Sequence, residues 1–291
     1  MDSRTEIATG AGTVIGVFDS GFGGLTVLKA LLRRMPGARY VFLGDTARLP
    51  YGSKSQRTIA RYAAESAQFL VNQQGAEFLV IACNTASALA LDAIKEAVTV
   101  PVLGVIEPGA AAAAQNSKTK DVLVIATEAT VASHAYAAAC RAQGLRGVEK
   151  ACPLLVPLVE EGWTQHPVTA EVVRIYLSEL LAEAAAARQN PDTLVLGCTH
   201  YPLLRAIMEH EILDLAGPNV VRIIDSAEAT AEEASQLVQS LEPNGVRETI
   251  KTPDLPQIRC FATDSVEKFA RLGSRFLGLP VGKVQLVDLG G

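Results

Sequence analysis

The amino-acid sequence predicts an α/β protein built on parallel sheets, and two patterns carry that expectation. Short, continuous apolar runs recur from one end of the chain to the other, and helix-length, helix-prone stretches separate them. A run that is apolar throughout, rather than at alternate positions, suits a strand buried on both faces of a parallel sheet. Strands alternating with helices make βαβ units.

Taken in order, the strand candidates are TVIGVFD (13–19), RYVFLGD (39–45), EFLVIAC (77–83), VPVLGVIE (100–107), DVLVIAT (121–127), TLVLGC (193–198) and VRIIDS (221–226), with a weaker QIRCFAT at 257–263. Helices are expected within 55–73, 85–97, 130–142, 168–187 and 227–241. The opening MDSRTEIATGAG has no apolar core and no cleavage site, so residues 1–12 read as a flexible tail rather than a secretory signal. A chain of 291 residues is long for one domain at about 150 residues each. The Ala-rich passage near 105–116 and the Gly-Pro-Asn turn within 213–221 mark the crossings. They predict a discontinuous first domain, 1–105 plus 220–291, with a second domain of 106–219 inserted.

A net charge of −5 with scattered lysines and arginines gives no reason to expect nucleic acid or an anionic membrane as a partner. The most apolar stretch, 100–114, is broken by Pro101, Glu107 and Pro108, and nothing approaches the ~20 apolar residues of a membrane span. A cytoplasmic protein is expected. The cysteines (Cys83, Cys140, Cys152, Cys198 and Cys260) are odd in number, far apart and without a CxxC pair. That excludes a zinc ribbon or a thioredoxin-type motif and favours reduced thiols. No metal site and no pyridoxal-phosphate lysine is signalled.

Chemistry concentrates where strands end, since ligands of open α/β sheets bind beyond the strands' carboxyl ends. FLVIACNTAS (78–87) and TLVLGCTHYP (193–202) share a pattern of apolar strand, cysteine, nearby threonine and helix start, one in each expected domain. A helix N-terminus favours a thiolate, so Cys83 and Cys198 are the candidate nucleophiles or bases. Thr85 is the expected N-cap of the helix after Cys83, and Pro202 suits a first turn. A free cysteine is commonly just a small buried hydrophobe. The matched positions with polar neighbours weigh against that for this pair, whereas Cys140, Cys152 and Cys260 read as structural.

DSGFGG (19–24) offers either an anion-binding nest of backbone N–H groups or a tight βα connection. Within it, Asp19 is either a ligand for a substrate ammonium, an orienter of a base, or a turn residue. The loop GDTARLPYGSKS (44–55) carries Asp45, Arg48, Tyr51 and Lys54, and is either a ligand loop or a solvated one. His200 adjoins Cys198 and can deprotonate a thiol or stabilise a thiolate. His134, His166 and His210 read as surface residues. Glu160 and Glu161 close an apolar run, and either could reach the crevice.

Together FDSGFGGL (18–25), GDTARLPYGSKS (44–55), ACNTAS (82–87), GVIEPG (104–109), VPLVEEG (156–162), LGCTHYPLL (196–204) and FARLGSRFLG (269–278) resemble the glutamate racemases. These are cofactor-independent enzymes of bacterial cell-wall precursor synthesis in the aspartate/glutamate racemase superfamily. The resemblance implies two Rossmann-like domains in pseudo-symmetric arrangement with the active site between them, frequent homodimers, glutamate as substrate and no cofactor. It implies that Cys83 and Cys198 are the two acid/bases. Asp19, Ser20, Tyr51, Gly52, Asn84, Thr85, Thr199 and His200 match its substrate-contacting or base-supporting residues, and Glu160 matches a supporting carboxylate. Three readings stay beside it: a superfamily relative acting on aspartate, a hydantoin or maleate; a hydrolase using Cys198 with His200; and a non-catalytic amino-acid-binding module.

Overall fold

The computed structural model describes residues 12–218, 220–241 and 257–290; apart from Gly12, the tail expected over 1–12 lies outside them. The first stretch runs β1 (Val14–Asp19), α1 (Leu25–Arg34), β2 (Arg39–Gly44), α2 (Gln56–Gln68), β3 (Phe78–Ile81), α3 (Asn84–Leu89), α4 (Leu91–Ala97) and β4 (Val102–Gly104). It continues with α5 (Ile106–Asn116), β5 (Asp121–Ala126), α6 (Glu128–Ala132), α7 (Ala135–Ala142), β6 (Arg146–Ala151), α8 (Leu155–Glu160), α9 (Pro167–Ala186) and β7 (Thr193–Gly197). The last elements are α10 (Arg205–Ala216), β8 (Arg222–Asp225), α11 (Ser226–Leu241), β9 (Gln257–Ala262), α12 (Val266–Leu277) and β10 (Val284–Leu286).

Two sheets result, one in the order β10-β9-β2-β1-β3-β4 and one in the order β6-β5-β7-β8. Every strand pairing is parallel. The central strands β1, β3, β5 and β7 are buried at every residue, which is why they could be recognised as unbroken apolar runs. One apolar cluster reaches from Val17 and Leu25 through Leu123 and Tyr201 to Val238 and Phe276, and so joins the two sheets through α1, α11 and α12. No helix among the described residues is long and apolar enough to cross a membrane.

The structure corrects the sequence reading at three places. The run at 100–107 is not one strand: β4 ends at Gly104 and α5 begins at Ile106, with Pro108 in its first turn, where a missing N–H leaves no helical bond unmade. The strand near 222, assigned above to the first domain, pairs with β7 in the second sheet, Thr193 opposite Arg222 and Leu196 opposite Asp225. The return crossing is therefore made by α11, which packs against both α1 and α5. Two edge strands, β6 and β10, were not anticipated. RGVEKA in β6 is only half-buried and carries three charged residues that break any apolar run, and β10 is three residues long.

The two sheets bring their loops into close approach. A Cβ on Gly23, in the loop after β1, would lie 2.3 Å from Thr199 Oγ1 and 2.6 Å from the His200 ring. Glycine is needed there for proximity rather than for an unusual φ.

Candidate active site

The segments that follow β1, β2, β3, β5, β6 and β7 enclose a cavity of about 460 Å³, with Cys83 on one wall and Cys198 on another. Each thiol leaves the carboxyl end of a central strand of a different sheet. Both are 6 % exposed, enough to meet a ligand and little enough to exclude bulk water. The remaining cysteines are buried in apolar clusters and do not line this cavity.

Cys83 is itself the N-cap of α3: its Sγ accepts the Ala86 N–H at 3.4 Å. Thr85, the expected cap, instead lies in the first turn and turns its hydroxyl towards Thr127 and Thr130. The Cys83 thiol also meets Ser20 Oγ at 3.3 Å. Burial pushes this thiol up to about 12, the negative charge of Asp19 adds to the shift, and the Ser20 and Ala86 contacts oppose it. The helix start thus favours charge on Cys83, as expected, but burial opposes it more strongly. A six-residue helix offers few N–H dipoles against the desolvation of a buried charge.

Cys198 has a different setting. His200 Nδ1 stands 3.9 Å from its Sγ, and His200 Nε2 stands 3.4 Å from Glu160 Oε1. Burial alone would depress the imidazole, but the Cys198 sulfur and the Glu160 carboxylate outweigh it and push His200 up to about 10. His200 therefore faces Cys198 as a cation at neutral pH. Phe276 meets the imidazole edge-on at 5.0 Å and Phe22 flanks it at 6.1 Å. Glu160 is the one of the two adjacent glutamates that turns inward to His200; Glu161 is exposed at the rim.

Asp19 is buried behind the cavity wall rather than on it. Its Oδ2 accepts the Gly21 N–H at 2.9 Å and its Oδ1 has no partner. Burial raises it, while His200 and the Gly21 and Gly24 N–H groups pull the other way. The Gly21 N–H of the glycine-rich turn is therefore spent on Asp19 rather than on a ligand.

The 44–55 loop divides its residues between wall and scaffold. Tyr51, Gly52 and Ser53 line the cavity. The Tyr51 hydroxyl points away and donates to Asp45 Oδ2 at 2.6 Å, and Asp45 also accepts Arg48 Nε at 2.9 Å and Thr263 Oγ1 at 2.9 Å. Arg48 further pairs with Glu65. Arg48 is thereby committed to holding the loop, Lys54 does not line the cavity, and no lysine or arginine among the described residues does.

Besides His200 and the carboxylates of Glu128, Glu160 and Glu161, the polar lining is made of neutral groups. Asn84 Oδ1 accepts the Tyr136 hydroxyl at 2.6 Å, which fixes the amide and leaves Nδ2 buried without a partner. Thr85, Thr127 and Thr130 form a hydroxyl triangle with edges of 3.0, 3.2 and 2.9 Å that ties α3 to the β5–α6 junction. Thr199 adds a further hydroxyl on the β7 side. Thr127 and Thr130 were not foreseen, although Thr127 follows β5 as Cys83 follows β3. Away from the cavity, His210, Glu211 and Asp214 are close enough together to hold a metal ion, but Arg174 already pairs with both carboxylates at 2.7 and 2.9 Å.

The site sets two thiols across one cavity, with the His200 cation beside one of them, and comparison with known proteins shows the family of the chain. The Asp/Glu/Hydantoin racemase family matches residues 15–234. The glutamate racemase of Koribacter versatilis is 53% identical over 294 residues, covering 96% of this chain and 98% of that protein. A glutamate racemase isoform from Bacillus anthracis superposes with a TM-score of 0.81 at 36% identity, covering 96% of this chain and 98% of that one. The glutamate racemase of Francisella tularensis, solved in complex with D-glutamate, also reaches 0.81, at 34% identity over 95% of this chain and 98% of that one. The chain belongs to the Asp/Glu/hydantoin racemase family.

Proposed function

We propose that this racemase interconverts L- and D-glutamate through two thiols acting on opposite faces of Cα. The observation that carries the proposal is that Cys83 and Cys198 come from different sheets to the walls of one cavity. Inverting a carbon needs one group to take its proton and another to deliver a proton from the far side. In one direction Cys198, as thiolate, takes the proton and Cys83, as thiol, delivers one. In the other direction the roles exchange.

The supporting residues differ on the two sides. The His200 cation, backed by Glu160, stabilises negative charge on Cys198 whenever it forms. On the other side Ser20 and the Ala86 N–H hold charge on Cys83, and Asp19 opposes it from behind. Asn84 Nδ2 and the threonine hydroxyls suit the substrate carboxylates and the charge that develops as Cα loses its proton. Glutamate, rather than a shorter acid, is favoured by the high identity to proteins named glutamate racemase. The homodimer and cytoplasmic location implied by the resemblance belong to the same proposal, and sedimentation tests the dimer.

Incubation with each enantiomer of glutamate and of aspartate, without added cofactor, tests the reading by polarimetry. The rotation of either glutamate enantiomer decays to zero, while that of aspartate changes much more slowly. Faster racemisation of aspartate would overturn the substrate assignment.

A further inference from the structure

Glu160 does not serve His200 alone. Its Oε1 lies 3.4 Å from His200 Nε2, and its Oε2 lies 3.9 Å from Lys268 Nζ. Lys268 sits on α12, which packs on α1 and β10 beside the first sheet, whereas Glu160 ends α8 of the second. The Lys268 ammonium is also held 5.8 Å over the centroid of Phe22, the ring that flanks His200. Lys268, Leu272 and Phe276 recur at four-residue intervals and share one face of α12. That face therefore brings both a cation and an aromatic edge to the surroundings of His200.

We infer that Lys268 is a positioning residue that shares the Glu160 carboxylate with His200 and so governs the proton balance of the His200–Cys198 pair. The inference rests on the racemase reading only for its kinetic consequence. Its physical basis is charge arrangement. The groups facing His200 are Cys198 at its Nδ1, Glu160 at its Nε2, and buried Asp19, whose carboxylate interacts with the imidazole from behind. Near Glu160 stand Lys268 and, against Gly162 of the following turn, Arg275. Of these cations Lys268 is the one in ion-pair range of Glu160.

A positive charge there acts twice in the same sense. It repels an imidazolium at His200, and it draws carboxylate charge away from Nε2. Both loosen the hold of His200 on its proton, which helps a group that must support Cys198 as thiolate in one half of the cycle and as thiol in the other. With a side chain 48% exposed, Lys268 is reached by salt, so the effect is modest and screened by added salt.

The test is an NMR titration of the histidine-labelled full chain, with the His200 signal assigned by its loss in His200→Asn. In Lys268→Gln the His200 midpoint moves up by about 0.3 pH, the size expected of a half-exposed ion pair. In Lys268→Arg it returns to the parent value, and in about 1 M salt, where charges are screened beyond ~3 Å, the parent moves towards Lys268→Gln. In activity the alkaline limb of the kcat/KM profile moves up with the midpoint. An unchanged His200 midpoint in Lys268→Gln, or a shift that Lys268→Arg fails to reverse, would overturn the inference. Because the titration is read without turnover, a shifted midpoint in a protein that leaves glutamate unchanged would sink the racemase reading alone.

Discussion

The Cys198 sulfur and the His200 Nδ1 stand 3.9 Å apart, while no imidazole accompanies Cys83, whose contacts are Ser20 and the Ala86 N–H. The two thiols are equivalent by position and unequal in support. Under the two-thiol proposal, a reaction that is symmetric overall is run by an asymmetric pair, and the asymmetry is open to measurement.

Replacing His200 with Asn leaves Cys198 without its adjacent cation and lowers kcat by about 10- to 100-fold, below or at the lower end of what a proton-transfer group supplies. Enantiomers have an equilibrium constant of one, so kcat/KM must fall equally in the two directions. The inequality appears in kcat and KM separately, because the base in one direction is the acid in the other. Initial-rate measurements from both enantiomers check this. Identical changes in both constants in both directions would count against a role specific to Cys198.

The pH dependence follows from the same pair. His200 is pushed up to about 10, so its charge is present at neutral pH and is lost as pH rises through that value. Activity should hold up to that region and then decline, and the decline should be absent from the residual activity of His200→Asn. Stability carries the same sign. The folded state holds the His200 proton more tightly than an unfolded chain, whose imidazole sits near ~6.5. This contribution is complete below the unfolded value and disappears as pH passes about 10. Thermal unfolding of parent and His200→Asn should therefore converge at high pH.

The division of the cysteines is tested by removing the other three. Cys140, Cys152 and Cys260 are completely buried in apolar surroundings, so alanine leaves small voids costing about 1 kcal/mol each and lowers Tm by several degrees. The triple variant should keep its activity. It should also lose that activity on alkylation, with substrate protecting Cys83 and Cys198. A folded but inactive triple variant would show that one of the three serves the reaction.

Much of this arrangement was legible in the sequence, for identifiable reasons. β1, β3, β5 and β7 are buried on both faces, and the positions after β3 and β7 carry a residue whose chemistry is distinctive. Thr127 occupies the same kind of position after β5, but a threonine there is unremarkable until its bonds to Thr85 and Thr130 are seen. Phe22, Phe276 and Lys268 were missed because only folding brings them to His200. The burial that opposes charge on Cys83 was hidden for a similar reason: a cap position is local and readable, whereas burial depends on the whole fold. β8 was misassigned because a turn marks where the chain bends, not which sheet its next strand joins.

Isotope flow in D₂O separates two thiols from one swinging base. Each thiol carries at most one proton, so the group that takes protium from Cα is not the group that completes the product. The delivering thiol equilibrates with solvent before substrate binds and so carries deuterium. Early product should then be almost fully deuterated at Cα, and recovered substrate only slightly. A single polyprotic base reaching both faces would return much of the original protium to the product. The walls of the cavity favour the first outcome, because Cys83 and Cys198 are anchored to separate sheets and neither lies on a long, swinging side chain. Cys83→Ala and Cys198→Ala should each abolish racemisation, since either loss strips one face of its proton carrier. Early product that retains substantial protium from the substrate would refute the two-thiol mechanism, even where glutamate is racemised.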